Sequence, residues 1–303
     1  MAKVKFCLVI DTEVDFWKCI PSPHFTSREL FRWKINKGIG SFRFARGRQG
    51  IENIVRILKE HKFPATFTIV GHLYLKECNG FPHFNEGMPE AKWLKESIGK
   101  DWDYWDVKSS FSENPEFYLG DFIEKEMKVE YFDLGLHAFS HEALTLERKE
   151  VVESCIRAAV RAANSLGIKP VSFGAPFNML EGVKEPEKVY QVLRKNRFKI
   201  VRYAGIERGR EQMHEVGIKK IFTKYGLKAI QVSHYFEGNS SRELIDRTIE
   251  EVESSLGKDV VYCLCTHDFT HKNTKNLQLI ISKILQISKE NKIEIVNMKQ
   301  LLK

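Results

Sequence analysis

The chain has 303 residues, 48 Lys and Arg against 40 Asp and Glu, a net charge of +8, and 43% apolar, 12% aromatic and 29% charged residues. That length accommodates one large core or two ordinary ones, and the balanced composition excludes a disordered, collagenous or coiled-coil chain. The basic excess favours anionic partners, but acidic residues are interleaved with it and no nucleic-acid motif accompanies it, so nucleic acid is not an expected partner.

From the N-terminus, MAKVKFCLVID enters a strand-like run without the apolar leader and cleavage site of an export signal, and no later run is long enough to cross a membrane. A cytoplasmic protein without a transmembrane segment is the expectation. The cysteines (Cys7, Cys19, Cys78, Cys155, Cys263, Cys265) form no CxxC pair, which predicts free buried thiols rather than disulfides or a thiolate metal site.

In chain order, VKFCLVI (4–10) reads as a buried strand, GIENIVRILKEH as an amphipathic helix and PATFTIV (64–70) as a second strand. DFIEKEM, YFDLGL, a long helical segment over about 146–165, KPVSFG, a helix near 185–195, FKIVRY, LKAIQV, a helix over about 241–256, DVVYCLC, a helix near 276–290 and KIEIVNM follow. Strands alternating with helices predict an α/β fold, a distorted (β/α) barrel of about seven or eight mainly parallel strands. No internal repeat or linker breaks the chain, so residues 1–303 are expected to form a single domain.

Two insertions, at about 16–49 and 72–114, interrupt this rhythm. They are expected to build the rim of a site. Phe16, Trp17, Phe31 and Trp33 in the first, and Trp93, Trp102, Tyr104 and Trp105 in the second, are rings that either stack on sugars or bury the insertions onto the barrel.

In barrels of this kind reactive residues stand at the strand C-termini. After the first strand comes DTEVD, where a carboxylate ending a buried strand needs a cation beside it. Ten histidines in 303 residues yield roughly 0.3 pairs spaced by four by chance. This chain has two such pairs, His137 with His141 and His267 with His271, each following an apolar strand end. In a helical turn that spacing places both rings on one side. Two imidazoles and a carboxylate leave a coordination position for water, the ligand count of a hydrolytic zinc site, with the remaining carboxylate and a late histidine as base and acid.

Taken together, VIDTEVD, PATFTIVG, LGLHAFSH, SFGAPF and LCTHDF resemble, in order and spacing, the motifs of the polysaccharide deacetylases (the NodB homology domain, carbohydrate esterase family 4). The resemblance spans about Val4 to Phe269. It implies that Asp11 is the catalytic base, that His137 and His141 bind a divalent metal, zinc first, and that His267 is the general acid. The third ligand is implied to be Glu13, with Asp15 as competitor; Asp11 and Glu13 share one side of an extended chain. His271 reverts to a surface or loop residue and Asp268 to the start of the next loop. Pro176 and Phe177 fall in the implied substrate-binding motif. Many members carry an arginine two residues before that proline, bonded to the base; here Gly174 stands instead, and Arg202 in KIVRY is the candidate substitute.

The implied activity is metal-dependent hydrolysis of an amide bond, removing an acyl group, acetyl first, from an amino sugar or glycan precursor. LGLHA also resembles deformylases of lipid-linked aminosugars, and Arg43, Arg46 and Arg48 are candidates for a substrate phosphate, against the plainer reading of a solvated loop. Two rivals are a metal-independent, allantoinase-like cyclic amidase and a non-catalytic carbohydrate-binding relative.

Overall fold

An apolar run with no polar alternation packs as a strand covered on both faces, and β1 (Val4–Thr12) is buried along almost its whole length. The structure, a computed structural model, describes residues 4–14, 27–29, 45–78, 117–180, 186–203, 221–271, 273–290 and 293–303. After β1 come α1 (Ala45–Glu60), β2 (Ala65–Ile69), β3 (Phe132–Leu136), α2 (Lys149–Ser165), β4 (Ser172–Gly174), α3 (Glu187–Lys195) and β5 (Ile200–Tyr203). Then follow β6 (Ile221–Lys224), β7 (Leu227–Gln231), β8 (His234–Tyr235), α4 (Arg242–Ser254), β9 (Val261–His267), α5 (Lys275–Lys289) and β10 (Ile293–Val296).

One edge of β1 pairs with β9 in parallel over Lys5–Asp11. The other edge is divided, with β10 alongside Val4–Cys7 and β2 alongside Val9–Thr12. From β2 the parallel ladder continues through β3, β4, β5 and β7. Beyond β7 the Val232 N–H donates to Tyr203 O at 2.8 Å and the Ser233 N–H donates to Cys263 O at 2.8 Å. Successive N–H groups of an extended chain point to opposite edges, so the run from β7 into β8 bonds β5 on one side and β9 on the other. The sheet thereby curls into the distorted barrel expected. Among the described residues two strands stand outside that ring: β10 and β6, whose antiparallel pairing with β7 the sequence reading passed over.

Side-chain alternation separates two cores. Cys7 and Val9 on β1, Ile200 on β5, Ile230 and Val232 near β7, and Cys263 and Cys265 on β9 point into the barrel, where Met298 and Leu301 join them. Phe6, Leu8 and Ile10 point outward to meet Phe67, Tyr262 and the apolar stripes of the helices, among them Ile281 and Ile284 of α5. Each fully buried side chain of this size contributes roughly 1.5–3 kcal/mol. The five described cysteines are buried and free, as expected.

Helix α2 presses on the turn Gly71–Tyr74 after β2. A Cβ at Gly71 would lie 2.7 Å from the Ala159 Cβ, so the glycine is required by close approach. At the other end of the barrel, Asp133 on β3 accepts hydrogen bonds from the hydroxyls of Thr66 (3.2 Å) and Ser172 and from the Lys299 N–H (3.2 Å). Burial nonetheless raises its pKa from its ordinary value, the hydroxyl bonds opposing that shift only in part.

Most of both insertions, including the eight aromatic residues named above, together with Asp15, Cys19 and Arg43, lies outside the described residues.

Candidate metal centre and catalytic pocket

The inward column of β1 that begins with Cys7 and Val9 ends in Asp11, and that of β9 ends in His267, register partner of Asp11. Strand β1 stops at Thr12, and Glu13 is carried on by Val14, a buried residue at φ 48° whose N–H donates to Asp268 Oδ2 at 3.0 Å. Asp268 is therefore no mere loop residue: it is fully buried, it holds the turn that carries Glu13, and burial pushes its pKa up to about 8.

Beyond β3 the sequence reading placed His137 and His141 on one side of a helical turn. The structure brings them together differently, through a turn in which Ala138 and His141 adopt φ 58° and 61°. Glu142 staples that turn by accepting the Phe139 N–H at 2.9 Å. The two rings stand 5.0 Å apart, and both Nε2 atoms point at Glu13 Oε1, at 3.2 Å from His137 and 3.3 Å from His141.

The His137 Nδ1–H donates to Gly174 O at 2.9 Å, which leaves Nε2 as the lone-pair nitrogen. Burial holds His141 below the usual imidazole pKa, partly offset by Glu13, so its ring is neutral at neutral pH, and its buried Nδ1 has no partner among the described residues. Burial raises the pKa of Glu13, but the two imidazoles reverse this and hold it well below its ordinary value. The His137 lone pair and the Glu13 oxygen face each other at 3.2 Å, an approach that a cation between them would relieve, and His141 turns its Nε2 to the same oxygen. The trio is therefore a donor set that fits a divalent metal.

Asp11 shares the buried floor. Its Oδ2 takes Nη2 of Arg202 at 2.8 Å, and its Oδ1 takes the Thr68 hydroxyl. Burial raises its pKa, and Arg202 with the nearby imidazoles outweighs that, lowering it overall. Gly174 and Arg202 are register partners on β4 and β5, and a Cβ at Gly174 would sit 3.2 Å from Arg202 Nε. The guanidinium thus passes across the space that a side chain at position 174 would take.

His267 faces this floor with Nε2, 3.7 Å from Asp11 and 3.8 Å from Glu13, and bonds Glu237 Oε1 through Nδ1 at 2.6 Å. Burial alone would lower its pKa; Glu237 and the two floor carboxylates carry it up to about 9. Tyr235 stacks beside it, centroids 6.3 Å apart. Phe177 meets the His141 ring edge-on at 4.4 Å, and Pro176 begins the turn that carries it.

Five of the eight described non-glycine residues at positive φ (Val14, Ala138, His141, Phe177, Asn178) border this one site. Each costs of order 1–3 kcal/mol and persists only where packing imposes it.

Asp11, Glu13, His137, His141, His267, Pro176, Phe177 and Arg202 converge there, whereas Arg48 does not. His271 is also buried, not on the surface: its Nε2 bonds the Thr266 hydroxyl at 2.6 Å, and burial lowers its pKa to about 4. Arg48 has no loop to solvate, since it lies in α1 and bonds Glu52 at 3.1 Å and Tyr118 O at 3.1 Å. Sequence reasoning missed Glu237, Tyr235 and Asn178, which sit in no quoted motif, and Thr68, which lies inside PATFTIVG but was given no role; an acidic residue just after β8, beside the strand that ends in His267, was the available signal for Glu237. A groove of about 660 Å³ between α1 and the segment around Phe122 shares no residue with the site.

No protein-family model and no curated protein matches the chain. Among solved structures it is similar to a Mycobacterium smegmatis protein assigned to the polysaccharide deacetylases, with TM-score 0.61 and 13% identity over 99% of this chain and 89% of that one. It is also similar to a 4-alpha-glucanotransferase from Thermococcus litoralis, with TM-score 0.55 and 13% identity over 100% of this chain and 40% of that one. A third likeness is to a GH57-type branching enzyme from Pyrococcus horikoshii, with TM-score 0.54 and 11% identity over 99% and 70%. At these identities the likenesses show the fold alone, a distorted (β/α) barrel shared with these proteins, and the chemistry must be argued from the site.

Proposed function

We propose that the protein is a metal-dependent hydrolase that removes an N-acyl group, acetyl first, from an amino sugar or a glycan precursor. The observation that carries this reading is the convergence of Glu13 Oε1 with the Nε2 atoms of His137 and His141 in a floor where each residue is at most 4% exposed. Zinc suits that set best, and when bound it supplies polarisation of the acyl carbonyl and acidification of a water.

The remaining steps belong to side chains. Asp11, kept ionised by Arg202, accepts the proton of the attacking water. His267, turned by Glu237 and protonated at neutral pH, delivers a proton to the departing amine. Phe177 covers the His141 edge of the floor and helps exclude bulk water.

Glucan transfer, the chemistry named for the Thermococcus litoralis structure, needs one carboxyl kept protonated as acid beside an ionised partner. Here both floor carboxylates are held below their ordinary pKa values. Asp268, whose pKa is raised, spends its oxygens on backbone N–H groups. An imidazole acid beside a metal-fitting trio favours amide hydrolysis.

The test is metal analysis of the purified protein beside His137→Ala and His141→Ala, with acetate and formate release followed over a panel of N-acyl sugars. One equivalent of metal in the wild type, its loss in both variants, and acyl release by the wild type alone are expected. A wild type that takes up no metal on reconstitution would sink the proposal.

A further inference from the structure

The floor residues are almost wholly buried, so recognition of whatever lies above them falls to the half-exposed residues at the mouth: Phe177, Asn178, Tyr235, Glu237 and His267. Asn178 has a constrained geometry among them. Phe177 and Asn178 follow one another at φ 55° and 57°, a left-handed conformation that asparagine tolerates better than most side chains. From there Asn178 Oδ1 accepts Nη1 of Arg202 at 2.6 Å and the hydroxyl of Tyr235 at 2.8 Å. The same Nη1 also donates to the Tyr235 oxygen at 2.8 Å, closing a three-membered ring of hydrogen bonds.

Arginine only donates, so the atom of Asn178 that meets it must be the oxygen, and the orientation of the amide is thereby settled. The amide nitrogen is left on the opposite side. It has no acceptor among the described residues and is not among the buried atoms that lack a partner, so it is open to solvent. A locked donor pair stands at the mouth, one guanidinium away from Asp11 and one stacked ring away from His267.

Resting on the proposed N-acyl hydrolase reading, we infer that Asn178 is a specificity-determining residue whose Nδ2–H donates to a hydroxyl or carbonyl oxygen of the bound amino sugar. Its oxygen is spent on positioning Arg202, and its nitrogen is presented to the ligand.

Asn178→Asp separates the two duties, because it keeps an oxygen for Arg202 and Tyr235 and replaces the outward donor with an acceptor. Asn178→Gly relieves the left-handed backbone and removes both. With zinc-loaded full-length protein and the tetramer of N-acetylglucosamine as probe, kinetics of acetate release and calorimetric binding are measured together. For Asn178→Asp the expected result is a KM and a dissociation constant raised about tenfold or more, with an unchanged thermal midpoint. Asn178→Gly should show the same binding loss together with a lower kcat. An Asn178→Asp protein with wild-type KM and affinity overturns the inference, and so does one with lowered kcat alone, which would make Asn178 a holder of Arg202 only. A wild type that neither binds nor cleaves any N-acyl sugar brings down the functional reading, and this inference with it; a wild type that cleaves beside an indifferent Asn178→Asp removes only the role of Asn178.

Discussion

The two ends of the barrel each bury an aspartate, and they treat it in opposite ways. At the C-terminal ends of the strands, Asp11 is paired with the Arg202 guanidinium and surrounded by imidazoles, and its pKa is lowered despite burial. At the N-terminal ends, Asp133 sits among two hydroxyls and a backbone N–H, and its pKa is raised. Burial disfavours the charged form at both places. What differs is whether a cation has been brought in to keep the charge. One end is built to hold a charge for use, and the other uses a carboxyl as a multiple acceptor that ties the C-terminal turn to β2, β3 and β4.

The largest effect that would expose this contrast is on turnover. Asp11→Asn should lower kcat/KM for acyl release by about 10²–10⁴-fold. The same measurement on Asp133→Asn should show no change, and comparable losses at both positions would erase the distinction.

Stability comes next. Arg202→Ala leaves Asp11 buried without its cation and should cost about 3–5 kcal/mol in urea unfolding. Because Gly174 and Arg202 are register partners with side chains on the same face of the sheet, an arginine at 174 can reach the same carboxylate once position 202 is cleared. Gly174→Arg alone crowds Arg202 Nε and Thr68 Cγ2, which lie 3.2 and 3.1 Å from a Cβ there. The double variant Gly174→Arg/Arg202→Ala should therefore be more stable than either single one. If it is no better than Arg202→Ala, the two positions are not interchangeable supports for Asp11.

Removing the lower carboxyl should cost less. Asp133→Ala strands the donors that share it and is expected to lower stability by about 1–3 kcal/mol while kcat/KM stays at the wild-type value.

The smallest signal is a difference in sign with pH. Asp133 binds its proton more tightly folded than unfolded, so its contribution is fully present below the ordinary carboxylate pKa of about 3.9 and is lost as pH rises toward the raised value. Asp11 runs the other way: its contribution is present at neutral pH and is lost as pH falls through its lowered pKa. Urea midpoints of wild type and Asp133→Asn across pH 4 to 7 should diverge in favour of the variant as pH rises. Divergence in the opposite direction would mean that Asp133 is stabilised as a carboxylate.

Much of the upper end was legible before folding. The strand and helix order follows from local periodicity, and Asp11, Glu13, His137, His141 and His267 were marked by standing just past apolar runs. The reason given for the histidine pair did not survive: the rings meet through two left-handed residues, Ala138 and His141, and a four-residue spacing does not encode that turn. Glu237 was missed because its partner His267 is 30 residues away in another strand, and its place just after β8 gains meaning only once β8 is known to lie beside β9. Arg202 was named as a candidate but could not be placed. Its claim rests on the pairing of β4 with β5, which sets Gly174 beside it.

By itself, then, the amino-acid sequence determined the alternation of strands and helices and the kinds of side chain that end each strand, because both are written in neighbouring residues. The tertiary structure alone decided how the ring of strands links through β7 and β8, which residue shields Asp11, which carboxylate turns His267 and which way the Asn178 amide faces. Those are outcomes of register and packing between segments far apart in the chain, where geometry fixes which polar groups must satisfy one another.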